Sequence, residues 1–238
     1  LTDINVRKAL AHAIDRRLIA ESVFMGIARP ARTLLPPSFR GQGEDFLEGN
    51  EYDPAAAARM LDESGWCMES DGIRRKNGRL LALTLVSGWP SASDLRPIPE
   101  LLQQMFRRIG VALRIVQTDD DGVYYDTYMR PGKGDLFLER GSNAGSADPT
   151  FLLHMVYHGQ SSWLDYGYKW AVPGKAYDDA VDSARASSDG ETILKGIQEA
   201  QRILVDVAVS AIPVVHVPDI YLVRKGTVFR PGTMEFFT

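Results

Sequence analysis

Three neighbouring stretches, "LLALTLV" (residues 80–86), "IPELLQQMFRRIG" (98–110) and "VALRIVQT" (111–118), decide how the 238-residue chain is built. In the first, Leu81, Leu83 and Leu85 alternate with other residues, the two-residue period of a strand with one face against a core. In the second, Leu101, Leu102, Met105, Phe106 and Ile109 recur at three- and four-residue steps, the apolar stripe of a helix. The third is again β-branched and apolar. A strand, a helix and a strand in this order favour a parallel pair joined by a crossover helix.

Upstream, "SDGIRRKNGR" (70–79) carries Asn77-Gly78, a strong two-residue turn signal, and predicts a hairpin with a solvated basic tip of Arg74, Arg75, Lys76 and Arg79. In "YDPAAAARMLDESGW" (52–66), Asp53 is placed to cap, Pro54 takes the first helical position and Gly65 ends the helix. The opening "NVRKALAHAIDRRLIAESVFMG" (5–26) reads as helix, with Thr2, Asp3 or Asn5 as candidate caps, Arg16 off the apolar face and Gly26 at its end. Residues 27–50 read as a long Pro- and Gly-rich loop.

Downstream, "VYYDTYMR" (123–130) predicts a short helix or turn, and the mostly apolar "DLFLER" (135–140) an internal strand. "DPTFLLHMVYHG" (148–159) predicts a helix capped by Asp148, and residues 159–176 an aromatic loop. Two helices follow (175–188 and 191–208), with strands in "SAIPVVHVP" (210–218) and "IYLVRKG" (220–226). The alternation is α/β, a mixed sheet flanked by helices.

Composition narrows the function. Hydrophobic residues make up 45% and charged residues 24%, values of an ordinary globular domain. A net charge of −4 argues against nucleic acid as a partner. No apolar run approaches the ~20 residues of a membrane span. The one cysteine, Cys67, can form neither an intrachain disulfide nor a cysteine-rich metal site.

Enzyme motifs fail in detail. "PGKGD" (131–135) has the wrong spacing for a phosphate loop, and "GQGEDF" (41–46) lacks the third glycine of a dinucleotide fingerprint. In "GSNAG" (141–145) the serine comes one place early for a nucleophile elbow. His154 and His158, four apart on one predicted helix, could share a transition metal. The plainer role, finishing a core face, is the one expected; no metal, cofactor or catalytic residue is assigned. Aromatic residues crowd the loops instead: Trp89 after one strand, and Trp163, Tyr166, Tyr168 and Trp170 together. Arg140, Ser142 and Asn143 follow another strand. In α/β sheets ligands sit beyond the carboxyl ends of strands, so these loops are expected to share one rim.

The order of these pieces, from "VRKALAHAID" through "YDPAAAARMLDESGW" and "DLFLERGSNAGSADPTFLLHMVYHG" to "YLVRKG", resembles the extracellular solute-binding proteins of family 5, the dipeptide, oligopeptide and nickel receptors of ABC importers. The resemblance covers essentially the whole chain. It implies that residues 1–238 form a single α/β lobe, the C-terminal lobe of a two-lobed type II periplasmic binding protein-like fold, with the first lobe and any signal peptide absent. It also implies a non-enzymatic receptor. Such a receptor captures a peptide-like or other small solute between its lobes and delivers it to permease subunits. It would be periplasmic or extracellular, membrane-associated only through the transporter or by a lipid anchor on the full-length protein. The ligand loops carried over are "SGWPSASDLR" (87–96) and "RGSNAGSADP" (140–149), with the aromatic loop beside them. The site residues expected are therefore Trp89, Arg140, Ser142, Asn143, Trp163 and Tyr166. Arg140 would pair with a carboxylate, and Trp89 and Trp163 would enclose the ligand body. Dipeptide receptors resemble D-x-x-D-P in the second loop; Gly145 stands here where the first acid would be, which departs from the usual grip on a peptide amino group. A nickel or metal-chelate receptor of the same family, a hydrolase, and a module for binding unfolded chains are the rival readings.

Overall fold

A computed structural model describes residues 1–36, 47, 51–88, 95–141, 148–218 and 220–229. Helices α1 (Ile4–Ala13) and α2 (Arg16–Phe24) come first, then the short strand β1 (Arg29–Pro30) and helix α3 (Pro54–Glu63). A meander of β2 (Cys67–Met68), β3 (Arg74–Lys76) and β4 (Arg79–Leu80) leads into β5 (Ala82–Ser87), α4 (Ile98–Arg108) and β6 (Ala112–Gln117). A π-helical turn (Val123–Met129) and β7 (Leu136–Leu138) follow. Next comes α5 (Thr150–Leu152), continued with π geometry over Leu153–Tyr157. The long helices α6 (Lys175–Ala186) and α7 (Gly190–Arg202, continued over Ile203–Val207) precede β8 (Val215–His216).

The sheet that organises the molecule is parallel, in the order β6-β5-β7. Ala82 to Ser87 pair in register with Ala112 to Gln117, joined by α4 as the spacing predicts. β7 pairs with the other side of β5, Leu85 opposite Leu136 and Ser87 opposite Leu138. The strand expected to be internal is thus at the edge of the described sheet, and β5 is central. Antiparallel pairing occurs in separate small sheets, β2-β3-β4 and β1-β8.

Two cores cover the two faces of the parallel sheet. Leu83, Leu85 and Leu113 turn to one side with α1, α2 and α4, and Leu136 and Leu138 pack against the same core. Val86 turns to the other side with Leu153, Tyr177 and Leu204, where Val116 and Phe137 also pack. The alternation along each strand is what divides them.

Local signals act as expected at several ends. Asp3 accepts from Asn5 N–H at 2.9 Å, and Asp53 accepts from Ala56 N–H at 2.8 Å with Pro54 behind it. Asn77 (φ 51°) and Gly78 (φ 75°) both take left-handed backbone, the requirement of a type I′ hairpin turn. Gly78→Ala should cost about 1 kcal/mol, since its Cβ meets no other atom and only the backbone conformation resists it. Urea unfolding of the variant checks this; no change in midpoint contradicts it.

Other expectations are corrected. The single opening helix is two, because Ile14 is extended and Asp15 caps α2 through Leu18 N–H at 2.9 Å. Arg16 is buried rather than off-face, donating to Pro213 O at 2.8 Å and Ala11 O at 3.2 Å. The basic hairpin is not a solvated tip. Arg74 is 2% exposed, Arg75 pairs with Asp71, and Lys76 donates to Ser64 O at 2.7 Å. Residues 220–226 form no strand, and Leu222 is fully exposed. The aromatic loop contains two 3₁₀ turns, Leu164–Tyr166 and Tyr168–Trp170.

Candidate functional site

The carboxyl ends of β5, β6 and β7 lie side by side because the strands are parallel and in register. Thr118 N–H donates to Ser87 O at 3.0 Å, extending the β5–β6 ladder one step past the strand end. Gly88 then passes so close to the Thr118 carbonyl that a Cβ there would lie 2.2 Å from its oxygen. An open cleft of about 280 Å³ sits at this edge, lined by Ser87, Gly88, Leu95, Gln117 and Leu138, with Arg96 and Asp119 at 2.7 Å from one another. That ion pair is more than half exposed, so it contributes little to stability and its members can exchange partners at small cost.

β7 runs out at the same edge into Glu139 and the exposed Arg140. An aromatic wall stands beside them. Tyr168 is buried and donates through Oη to Glu139 Oε2 at 3.2 Å. The Trp163 ring lies 5.9 Å from Tyr168 and 6.0 Å from Tyr166, and Tyr166 lies 6.4 Å from Tyr125. Arg130 Cζ sits 4.8 Å over the Tyr166 ring while its guanidinium also pairs with Asp126. Gly167 (φ +113°) makes the turn between Tyr166 and Tyr168; a Cβ there would lie 2.7 Å from Met129 backbone.

Of the residues expected from sequence, Arg140, Trp163 and Tyr166 come together through Glu139 and Tyr168. Trp163 is partly buried and Tyr166 45% exposed, so the wall presents tyrosine and tryptophan surface to solvent. Trp89, Ser142 and Asn143, and Gly145 with them, lie outside the described residues. Sequence reasoning missed Glu139 as a member of this cluster. Its signal was an acid ending a strand in which Leu136 and Leu138 alternate with Phe137, and that alternation turns Glu139 to Phe137's side.

The histidine pair resolves differently. His154 and His158 stack at 4.5 Å with 20° between their planes, and with Asp182 their ligating atoms fall within 4.8 Å. Gln160 N–H, however, donates to His158 Nδ1 at 3.0 Å. The neutral ring must then carry its proton on Nε2, which lies 3.3 Å from Asp182 Oδ1. His158 therefore turns an N–H, not a lone pair, toward that cluster, and the donor set does not fit a metal. Burial and the nearby Arg185 charge lower the pKa of His154. Asp148 caps as expected, accepting from Thr150 N–H at 2.8 Å. Nor does the neighbouring serine supply a nucleophile: Ser161 Oγ donates to Met155 O and accepts from Trp163 N–H.

A parallel β-α-β core with helices over both faces and a cleft at the strand carboxyl ends defines the class: one lobe of a type II periplasmic binding protein-like fold. The nickel–L-histidine complex of NikZ from Campylobacter jejuni has this fold, with a TM-score of 0.76 at 23% identity over 90% of this chain and 42% of that one. The chain belongs to the bacterial extracellular solute-binding proteins of family 5, whose middle region matches residues 1–163. It is 28% identical over 206 residues to Protein XP55 of Streptomyces lividans, covering 85% of this chain and 36% of that protein. It is 25% identical over 236 residues to the dipeptide-binding protein of Escherichia coli (strain K12), covering 99% of this chain and 40% of that protein. The chain thus spans well under half the length of these relatives.

Proposed function

We propose that this chain is the C-terminal lobe of the substrate-binding component of an ABC importer. It forms one wall of a site that captures a peptide-like or other small solute. The observation that carries the reading is the juxtaposition, at one sheet edge, of an open cleft with an aromatic wall and an arginine, in a chain of a solute-binding family. The work of such a site is to desolvate a ligand, match its charge and make closure against a second lobe favourable only when the ligand is bound. No bond is broken, and no nucleophile–base pair is found among the described residues of the cleft. Permease subunits are the expected partners, and a periplasmic or extracellular setting, with or without a lipid anchor, is the expected location.

A metal chelate as solute is the second reading. It is favoured by the nickel–histidine complex among the similar structures, with the chelate held by the cleft rather than by His154 and His158.

Native mass spectrometry of the full-length protein, purified from its host without unfolding, identifies the solute by its added mass. Calorimetry with that solute should then show Trp163→Ala and Arg140→Ala each weakening binding about tenfold or more, with unfolding midpoints little changed. Affinity unchanged in both variants, or turnover of the solute, overturns the reading.

A further inference from the structure

Glu139 has no task in the cleft described above, yet its surroundings are unusual for a carboxyl group. Tyr168 Oη donates to its Oε2 at 3.2 Å, and Tyr124 Oη lies against the carboxyl while donating to Leu138 O at 3.3 Å. Oε1 is sealed from solvent and has no hydrogen-bond partner among the described residues. The titratable groups facing it are Tyr124 and Tyr125 from the π-helical turn, Tyr168 from the turn after Gly167, and Tyr157 from the end of the α5 helix. Asp121, from the loop after β6, also bears on it and is itself acidic. Arg140, next in the chain, is exposed.

A carboxylate needs donors on both oxygens when it is taken out of water; a neutral acid needs fewer. Burial pushes the Glu139 carboxyl up to about 7, with Asp121 adding to the rise and the two tyrosine hydrogen bonds opposing it. Admitting water to Oε1 relieves the charged form, and the Tyr168 turn is the piece of the cover that can lift. That turn is short, and Trp163 and Tyr166 are packed along it.

We propose that Glu139 is a proton-operated latch on the aromatic wall. As the neutral acid it holds Tyr168, and through it Trp163 and Tyr166, against β7; as the carboxylate it strands a charge beneath the tyrosines and loosens that wall. That the wall lines a solute site rests on the receptor reading, but the latch is tested without any solute. Because the folded protein holds this proton more tightly than the unfolded chain, the stability it contributes is fully present below pH about 4.5. It is lost as pH rises through about 7.

Hydrogen exchange of the peptide covering residues 161–171, corrected for intrinsic rate, is measured from pH 5 to 9 in the wild-type protein and in Glu139→Gln. The wild type should lose protection about tenfold or more with a midpoint near 7, while a peptide from α7 stays flat. The glutamine variant, neutral at every pH, should keep the acid-form protection throughout. Protection that is flat in the wild type, or that falls equally in Glu139→Gln, overturns the latch. Should the variant fail to fold, the carbon-13 carboxyl shift of Glu139 in the wild type decides: a midpoint near 7 accompanied by the exchange change supports it, and a midpoint near 4.5 overturns it. Both outcomes leave solute binding to be judged by its own experiment.

Discussion

Arg74→Ala is expected to lower the free energy of unfolding by about 3 kcal/mol or more, although the wild-type residue sits in a hairpin that reads as surface. The guanidinium is 2% exposed and binds three elements at once. It donates to Ile109 O at 2.8 Å after α4, to Trp66 O at 2.6 Å after α3, and to the Asp62 carboxylate on α3. Its backbone completes the joint, accepting from Leu81 N–H and donating to Gly110 O, each at 2.8 Å. The Asp62 side chain is more than half exposed and rehydrates when the arginine is removed, so little of the loss comes from that ion pair. The loss comes from two covered carbonyls left without donors and from the space vacated against Gly110 and Met68. Arg74→Met restores much of the volume but no donor, and should recover only the part due to packing. Urea unfolding of both variants separates the two terms: equal midpoints for Ala and Met assign the loss to hydrogen bonds, and an Ala midpoint within error of wild type contradicts the account.

Gly88→Ala is the second large effect, about 3 kcal/mol, and it falls on the candidate site itself. A Cβ at Gly88 would stand 2.2 Å from Thr118 O and 3.0 Å from its carbonyl carbon. Backbone cannot step aside as a flexible side chain can. Thr118 is tied at that point by its N–H to Ser87 O, so the added methyl wedges β5 from β6 at their carboxyl ends. The floor of the cleft should distort, and solute affinity should fall more than stability alone explains. Gly190→Ala at the start of α7, where a Cβ meets nothing within 4 Å, is the control and should stay within about 0.5 kcal/mol of wild type. Calorimetry of Gly88→Ala at a temperature where it is fully folded makes the functional test. Wild-type affinity there would show that the close approach serves the sheet and not the site.

Much of the molecule was legible from sequence because its signals are local. The period of two in Leu81, Leu83 and Leu85, the helical stripe of α4, the Asp53-Pro54 cap and the Asn77-Gly78 turn each depend on residues within a few positions of one another. The family resemblance rested on the order of such pieces. The candidate site was legible only in outline: Arg140, Trp163 and Tyr166 could be named as residues following strands or crowding a loop, but not the carboxyl group that links them.

What the tertiary structure alone decided has a common cause. Arg16 looks like a solvated helix residue until Pro213, 197 positions away, presents its carbonyl and the helix breaks at Ile14 to let the guanidinium in. Arg74 looks like a hairpin charge until two helix ends converge on it. β7 reads as one more apolar strand, and only its pairing with β5 makes β5 central and sets Glu139 among tyrosines from three other segments. Periodicity records which face of an element is apolar. It does not record which distant element covers that face, and a buried charge is stabilised or strained by the partners that long-range packing brings to it.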